Sequence, residues 1–332
     1  MGEGGGQILR SSLALSLHLQ HPIHLVNIRR NRRPPGLRRQ HLTCVLAAAE
    51  LSHAKVSGAE IGSTEIQFKP GPLHPGRYVF DIGTAGSTTL LLQTVLPPLL
   101  LATSPSHLTI KGGTHNPFAP PFDFLQQVLL PQLQKMGADV RLRLKRWGFY
   151  PKGGGVIEVE IGPVVRLHPI ELMERGELLT LEANAIVASL PRHIAERELT
   201  VLQHRLGIPH GQTKIEEIRE SGIGNVVTVT VHCQAMTELF TGFGQRGKCA
   251  EEVANELANE VAGYLSANVP VGPYLADQLL IPLALAGKGC FLTMAPTRHT
   301  LTNIRVIESF LPLKFDLIQH NQSQWRIDLS HQ

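Results

Sequence analysis

The sequence predicts an α/β (α+β) protein: a body of three repeated βαβα-type units, with a smaller α/β domain inserted in the third. Three observations carry this. A Gly-containing turn followed by a strongly apolar helix and then a strand occurs three times in 332 residues. The turns are Gly4-Gly5-Gly6, Ala85-Gly86-Ser87 and Gly272-Pro273-Tyr274, and each is followed further on by a second helical pattern. The first two turns lie about 80 residues apart and the last two 186 apart, which leaves a domain-sized surplus in the third unit.

The elements follow in order. Gln7 to Leu15 reads as the first apolar helix, and residues 41–51 as its partner, leading into the strand entry Ala54-Lys55-Val56. Leu90-Leu91-Leu92-Gln93 opens the second apolar helix, and residues 124–136 form the next, with Gly137 placed to end it before Ala138-Asp139-Val140. Leu279 to Ala284 belongs to the third apolar helix, and residues 302–311 to its partner, with Thr302 or Thr300 as N-cap and Pro312 as a stop. The predicted insert covers 176–268, and the body 1–175 with 269–332. Inside the insert are a β run at 178–190, a helix at 195–206 ended by Gly207, strands around 226–231 and an Ala/Glu-rich helix at 249–265.

Composition narrows the function. Apolar residues make up 42% and charged residues 17%, which excludes a disordered or fibrous chain. Four widely spaced cysteines with no CxxC pairing exclude a disulfide scaffold or zinc ribbon and fit a reducing cytoplasm. No signal peptide is expected, and the uncharged stretch 82–110 is too interrupted by Gly, Ser, Thr and Pro to read as a membrane span. Arg outnumbers Lys by 21 to 10, and Arg is suited to forked phosphate contacts. The insert carries 12 acidic and seven basic residues, whereas the body carries 15 acidic and 24 basic. A polyanion footprint is therefore expected on the body.

The sharpest local signal is the loop 29–39, in which six of eleven residues are Arg and Pro34-Pro35-Gly36 stiffens the middle. It runs into a helix, so a phosphate cradle and an ordinary solvated face are the two readings. Gly2-Glu3-Gly4-Gly5-Gly6-Gln7 opens a helix but is neither a Walker A loop nor a dinucleotide fingerprint. Gly148-Phe149-Tyr150-Pro151-Lys152-Gly153-Gly154-Gly155 reads as a turn before an alternating strand, with Lys152 adding charge. Among 16 histidines, His299 stands out because it precedes a helix. A helix N-terminus disfavours an added positive charge, and the unprotonated imidazole is the nucleophilic form. A surface His in a cap is the plain alternative. Tyr274-Leu275-Ala276-Asp277-Gln278 could hold a base or simply start a helix.

Together these motifs resemble the RNA 3′-terminal phosphate cyclase family. The matching stretches are 3–10, Pro35-Gly36-Leu37 with Arg39-Gln40-His41-Leu42, 58–63, 93–97, Gly112-Gly113-Thr114, 148–155, 274–278 and 299–303, in the family's order across nearly the whole chain. The resemblance implies an ATP-dependent, ligase-like reaction. A His forms a covalent His–AMP, AMP passes to an RNA 3′-phosphate to give RNA–pp–A, and the vicinal 2′-OH closes a 2′,3′-cyclic phosphate. His299 matches the nucleophile. Gln93, Tyr274, Leu275, Ala276, Asp277 and Gln278 match nucleotide contacts, with Tyr274 on the adenine and Pro120 opposite. Arg10, Arg29, Arg32 and Gln40 match the phosphate cleft, and Glu3 a carboxylate for a divalent metal, Mg2+ or Mn2+. The implied partners are ATP and an RNA with a 3′-phosphate end, with no membrane; a homodimer is allowed but not fixed by the sequence. The chain departs from the family in Arg30-Asn31, in Trp147 where Arg or His is usual, and in its start, where the first unit's opening strand is expected to be missing.

Three other classes compete. Non-catalytic cyclase-like proteins of ribosome assembly lack the reactive His. Enolpyruvyl transferases share the repeated architecture but leave the His299 and Tyr274 motifs unexplained. A generic RNA-binding module is disfavoured by an aromatic content of 5%.

Overall fold

A computed structural model of the chain describes residues 5–219 and 222–331. It is a mixed α/β protein in which four small sheets are covered by helices. The apolar helices of the sequence form as expected, and their near-uniform apolarity has a cause. Helices α1 (Gln7–Leu19), α3 (Thr88–Leu100) and α8 (Pro273–Ala286) are buried on most of their circumference, so they need no polar face. Helix α1 packs against α2 (Arg39–Ser52), α3 and α9 (Arg298–Phe310), and α8 packs against α9.

Several helices end at a glycine in the left-handed region. Gly287 takes φ +77° after α8, and its amide returns to carbonyls of the last turn. Gly137, at φ +92°, follows a helix built from α4 (Phe122–Phe124), a π-turn (Leu125–Leu129) and α5 (Leu130–Lys135). Helix α9 corrects one expectation. It starts a turn earlier than 302, because Thr297 is the N-cap and its hydroxyl accepts the Thr300 amide at 3.1 Å. His299 therefore lies inside the first turn rather than ahead of the helix, and Thr300 and Thr302 are buried in it.

Two sheets share one topology. The first runs β4 (Arg77–Asp81), β5 (Ser106–Gly112), β7 (Gly155–Gly162), β6 (Asp139–Arg146), with β4 and β5 parallel and the remaining pairs antiparallel. The second runs β8 (Glu171–Leu172), β13 (Gly289–Thr293), β15 (Trp325–His331), β14 (Leu313–Gln319), with the same directions. A third sheet, β1 (Ile23–Leu25), β3 (Ile66–Lys69), β2 (Lys55–Ser57), is antiparallel throughout and matches the last three strands of the others.

The fourth sheet is β10 (Thr213–Ile218), β9 (Leu178–Ala188), β11 (Gly224–Cys233), β12 (Thr237–Phe243). Helices α6 (His193–Leu206) and α7 (Ala250–Ala267) pack on it and on each other. These elements enclose a hydrophobic core distinct from that of the rest of the chain, centred on Ala185, Leu202, Val227, Val229, Val261 and Tyr264. Strand β12 touches the π-turn helix, and Glu238 on β12 accepts the Gly272 amide at 2.6 Å, just ahead of α8.

Candidate active site

The N-terminal ends of α1, α8 and α9 meet the middle of α3 at one cavity of about 340 Å³. Helical spacing explains which side chains point there. Gln7 and Arg10 lie three apart on α1, and Tyr274, Asp277 and Gln278 are three and four apart on α8. All five line the cavity, together with Gln93, Pro120 and His299. Leu275 and Ala276, on the opposite side of α8, are buried in the core instead.

A chain of hydrogen bonds sets the orientation of His299. Its Nδ1 lies 2.8 Å from Gln7 Oε1, and the Gln7 amide nitrogen donates to Asp277 Oδ1. A carboxylate only accepts, so Gln7 must turn its NH2 to Asp277 and its carbonyl oxygen to the ring. That arrangement requires the proton on Nδ1 and leaves the Nε2 lone pair for chemistry. Asn303, one turn beyond His299, donates to both the backbone oxygen and Oδ1 of Asp277 at 3.2 Å, and accepts the Ser11 hydroxyl at 2.7 Å. Burial pushes the Asp277 carboxyl up; the Gln7 hydrogen bond, the neighbouring His299 and Arg10 side chains, and Asn303 pull it back.

A second chain runs along the cavity wall. Arg10 Nε donates to Gln93 Oε1 at 3.1 Å, and Gln93 Nε2 donates to Gln278 Oε1 at 3.1 Å. Pro120 is held by its carbonyl, which accepts the Thr89 hydroxyl at 2.7 Å. Tyr274 stays half exposed, and its hydroxyl donates to Glu260 at 3.3 Å. Burial first, then Glu260, pushes the phenol up to about 12. Leu239, Thr241 and Phe243 of β12 also line it, and Phe118 stands at the cavity fully exposed.

The basic loop forms an adjoining cationic place. His41, at the start of α2, is pushed down to about 3 by burial and then by Arg10, Arg29 and Arg38, so it is neutral at physiological pH. Gly6 lies so close to the His41 ring and the Arg10 guanidinium that a Cβ there would force these side chains to shift. Arg10 therefore belongs to both places. Arg29 is spent partly on its own loop, where Nη1 donates to the Pro34 and Gly36 carbonyls at 3.0 and 2.9 Å. Burial first, then Arg38 and Arg32, push its guanidinium down, and the Arg32 backbone amide donates to the Arg29 carbonyl at 2.9 Å. Gln40 lies off the cavity. Its Oε1 accepts the Ser87 amide at 2.7 Å and its Nε2 donates to the Ser87 carbonyl at 3.0 Å, joining α2 to the cap of α3.

Glu3 lies outside the described residues, and among those described no group of three His, Cys, Asp or Glu side chains gathers to hold a metal. Reading the sequence as motifs left Gln7, Asn303, Arg38 and His41 without a role. The available signal was the lone polar residues in buried helices: Gln7, Arg10 and Ser11 at i, i+3, i+4, and Asn303 four residues after His299.

A family model described as RNA 3′-terminal phosphate cyclase matches residues 1–317. A protein of Koribacter versatilis named RNA 3′-terminal phosphate cyclase is 49% identical over 330 residues, 99% of this chain and 93% of its own. One of the same name from Pseudomonas fluorescens is 51% identical over 314 residues, 94% of this chain and 92% of its own. The solved EPSP synthase of Acinetobacter baumannii overlays with a TM-score of 0.30 at 10% identity, covering 97% of this chain and 61% of that one, too weakly to argue from. With the family model spanning nearly the whole sequence and relatives near half identity along more than nine-tenths of their own length, the chain belongs to the RNA 3′-terminal phosphate cyclase family.

Proposed function

We propose that the protein uses ATP to convert an RNA 3′-phosphate end to a 2′,3′-cyclic phosphate through a His299–AMP intermediate. The observation that carries this reading is the Asp277–Gln7–His299 chain at the rim of a cavity that can hold a nucleotide. His299 Nε2 attacks the α-phosphorus of ATP; a P–N bond forms, the α–β bridging P–O bond breaks, and pyrophosphate leaves. The imidazolium formed keeps its Nδ1 proton on Gln7, whose dipole is turned by Asp277 to favour that charge. An oxygen of the RNA 3′-phosphate then attacks the same phosphorus, the P–N bond breaks, and RNA–pp–A results with His299 neutral again. Finally the 2′-OH attacks the RNA phosphorus, losing its proton as AMP departs. Deoxyribose lacks that nucleophile, which makes RNA the substrate class.

Tyr274 and Pro120 offer walls for the adenine, and Gln93 and Gln278 polar contacts at the same cavity. Arg10, with Arg29, Arg32 and Arg38, supplies positive charge where phosphates would gather. A divalent metal is part of the reading through Glu3 and the nucleotide's own phosphates, since Mg2+ takes few protein ligands beside phosphate oxygens. No step above is routed through it.

The reading extends to architecture and compartment. The shared strand order of the three sheets supports a body of three repeated units, and the separate core of residues 181–269 supports an inserted domain near 176–268. The free thiols of Cys44, Cys233, Cys249 and Cys290 support a reducing cytoplasm, and among the described residues no helix is long and apolar enough to cross a membrane. The deciding experiment is intact-mass spectrometry after incubation with ATP and Mg2+. A mass increase of one AMP, absent in His299→Ala, upholds the reading; no adduct on the wild-type chain refutes it.

A further inference from the structure

Three surface segments outside the nucleotide cavity lie edge to edge. The basic loop ends at Gln40, whose amide brackets Ser87, and a Cβ on Gly86 would come within 3.1 Å of the Gln40 side chain. Next to it are Thr84, which is exposed, and Ala85, which is buried beneath it. Gly153 packs directly on them, since a Cβ there would lie 2.8 Å from both Ala85 Cα and the Thr84 carbonyl oxygen. Arg146 then crosses to the same loop, donating from Nε to the Gly154 carbonyl. The three segments thus form one continuous surface from residues 29–40, over 84–86, to 146–154.

That surface is cationic and carries an open ring. Arg32, Arg38, Arg146 and Lys152 are exposed along it. The carboxylate of Asp81 also stands here, but it accepts the Gly83 amide at 2.8 Å and helps shape the turn. Tyr150 sits between Arg146 and Lys152 in sequence and is 67% exposed, an unusual state for a large aromatic. Its neighbours explain why it does not fold inward. The interior beside it is already filled by the stack of Trp147 on His115 and of Trp147 on Phe149, with ring centroids 4.6 and 6.0 Å apart. An exposed ring flanked by cations is what a single-strand platform needs: the ring stacks on any base while the cations follow the backbone.

We infer that this surface is the track for the nucleotides upstream of the RNA 3′ end, with Tyr150 stacking on a base and Arg146 and Lys152 facing phosphates. The inference rests on the cyclase reading, because that reading puts the 3′-phosphate beside Arg10, Arg29 and Arg38, where the track begins. It adds what that reading lacks: a reason for the protein to prefer a longer strand over a minimal end, without preference for sequence.

The test compares two 3′-phosphorylated substrates, a dinucleotide and a single-stranded RNA of about ten nucleotides, within the usual footprint of such platforms. For the wild-type chain kcat/KM should favour the longer RNA. In the double variant Tyr150→Ala, Lys152→Ala the long-to-short ratio should fall at least fivefold, and in Tyr150→Phe it should be kept. Raising the salt should shrink the wild-type ratio toward that of the double variant. A ratio that the double variant leaves unchanged, or a wild-type chain indifferent to length, overturns the track. The AMP adduct, measured with ATP and no RNA, reads the underlying reaction separately and shows that each variant is folded. If the adduct forms normally while the ratio does not move, the track falls and the cyclase reading stands. If the wild-type chain forms no adduct and cyclises neither substrate, both fall. Should the double variant form no adduct, Lys152→Glu alone takes its place, with the same fall in ratio expected.

Discussion

Gln7 Oε1 stands 2.8 Å from His299 Nδ1, and the other end of the same amide is bound to Asp277. The two residues are 292 positions apart, yet this one contact decides which imidazole nitrogen carries the proton. Gln7→Leu should therefore slow formation of the AMP adduct while leaving the KM for ATP nearly unchanged. A hydrogen bond to a charged group is worth about 1.5–3 kcal/mol, so a loss of about tenfold to a hundredfold is expected in single-turnover adenylylation. A wild-type rate in Gln7→Leu would show that His299 needs no such orientation.

His299→Ala should abolish both the AMP adduct and cyclisation from ATP. It should still close a pre-made RNA–pp–A end, because that step needs only the 2′-OH and a positioned leaving group. The wild-type adduct should be lost in acid and survive alkali, as a P–N bond to His does. Quenching labelled enzyme at both extremes of pH checks this directly.

For Tyr274 the ring and the hydroxyl separate cleanly. The hydroxyl donates to Glu260 at 3.3 Å, while the residue itself lines the cavity. Tyr274→Ala should raise the KM for ATP by about tenfold or more, since base–aromatic stacking contributes roughly 1–3 kcal/mol. Tyr274→Phe should be close to wild type. If Phe is as damaging as Ala, the Glu260 contact is what matters.

The charge division predicts where polyanion binding is lost. Arg29 holds its own loop through Pro34 and Gly36, so Arg29→Ala would mix charge removal with loop collapse. Arg32→Ala leaves those two carbonyl contacts of Arg29 in place and should cost tenfold or more in kcat/KM for a 3′-phosphorylated RNA. Arg219→Ala, on the other side of the charge division, should cost little. Equal small losses at both positions would remove the basic loop from the phosphate cleft.

Glu238 and Glu198 predict a pH dependence of stability. Burial raises the Glu238 carboxyl to about 8 and the Glu198 carboxyl to about 7, against an ordinary value of 4.5. Between those limits the folded chain keeps protons that the unfolded chain has released. Stability from these groups is therefore complete below about pH 4.5 and is lost as pH rises toward 7 and 8. Each contributes at most about 1.4 kcal/mol per pH unit. Glu238→Gln keeps the carbonyl that accepts the Gly272 amide but cannot ionise. Denaturant titrations of this variant should show a shallower decline between pH 5 and 8 than the wild-type chain.

What the sequence alone determined is local: the buried helices, their stops and the chemistry gathered near their ends. Runs such as Leu90-Leu91-Leu92 and Leu279-Leu280-Ile281 after glycine turns read as buried helices, and Gly137 and Gly207 end helices because glycine accepts the left-handed backbone there without strain. The resemblance carried by the His299 and Tyr274 motifs led to the family that the comparisons then showed. Strand β10 escaped individual recognition because Lys-Ile-Glu-Glu-Ile satisfies neither period well, and only pairing with β9 defines it. Helix α9 starts a turn before 302 because three threonines compete for the cap, and burial of Thr300 and Thr302 leaves it to Thr297. Tertiary structure alone decided that Leu275 and Ala276 face the core, that Gln40 serves Ser87 rather than the cavity, and that Gln7 meets His299. Periodicity and turn chemistry act over a few residues, and a lone glutamine has no period. Its role exists only once the ends of α1, α8 and α9 are packed together.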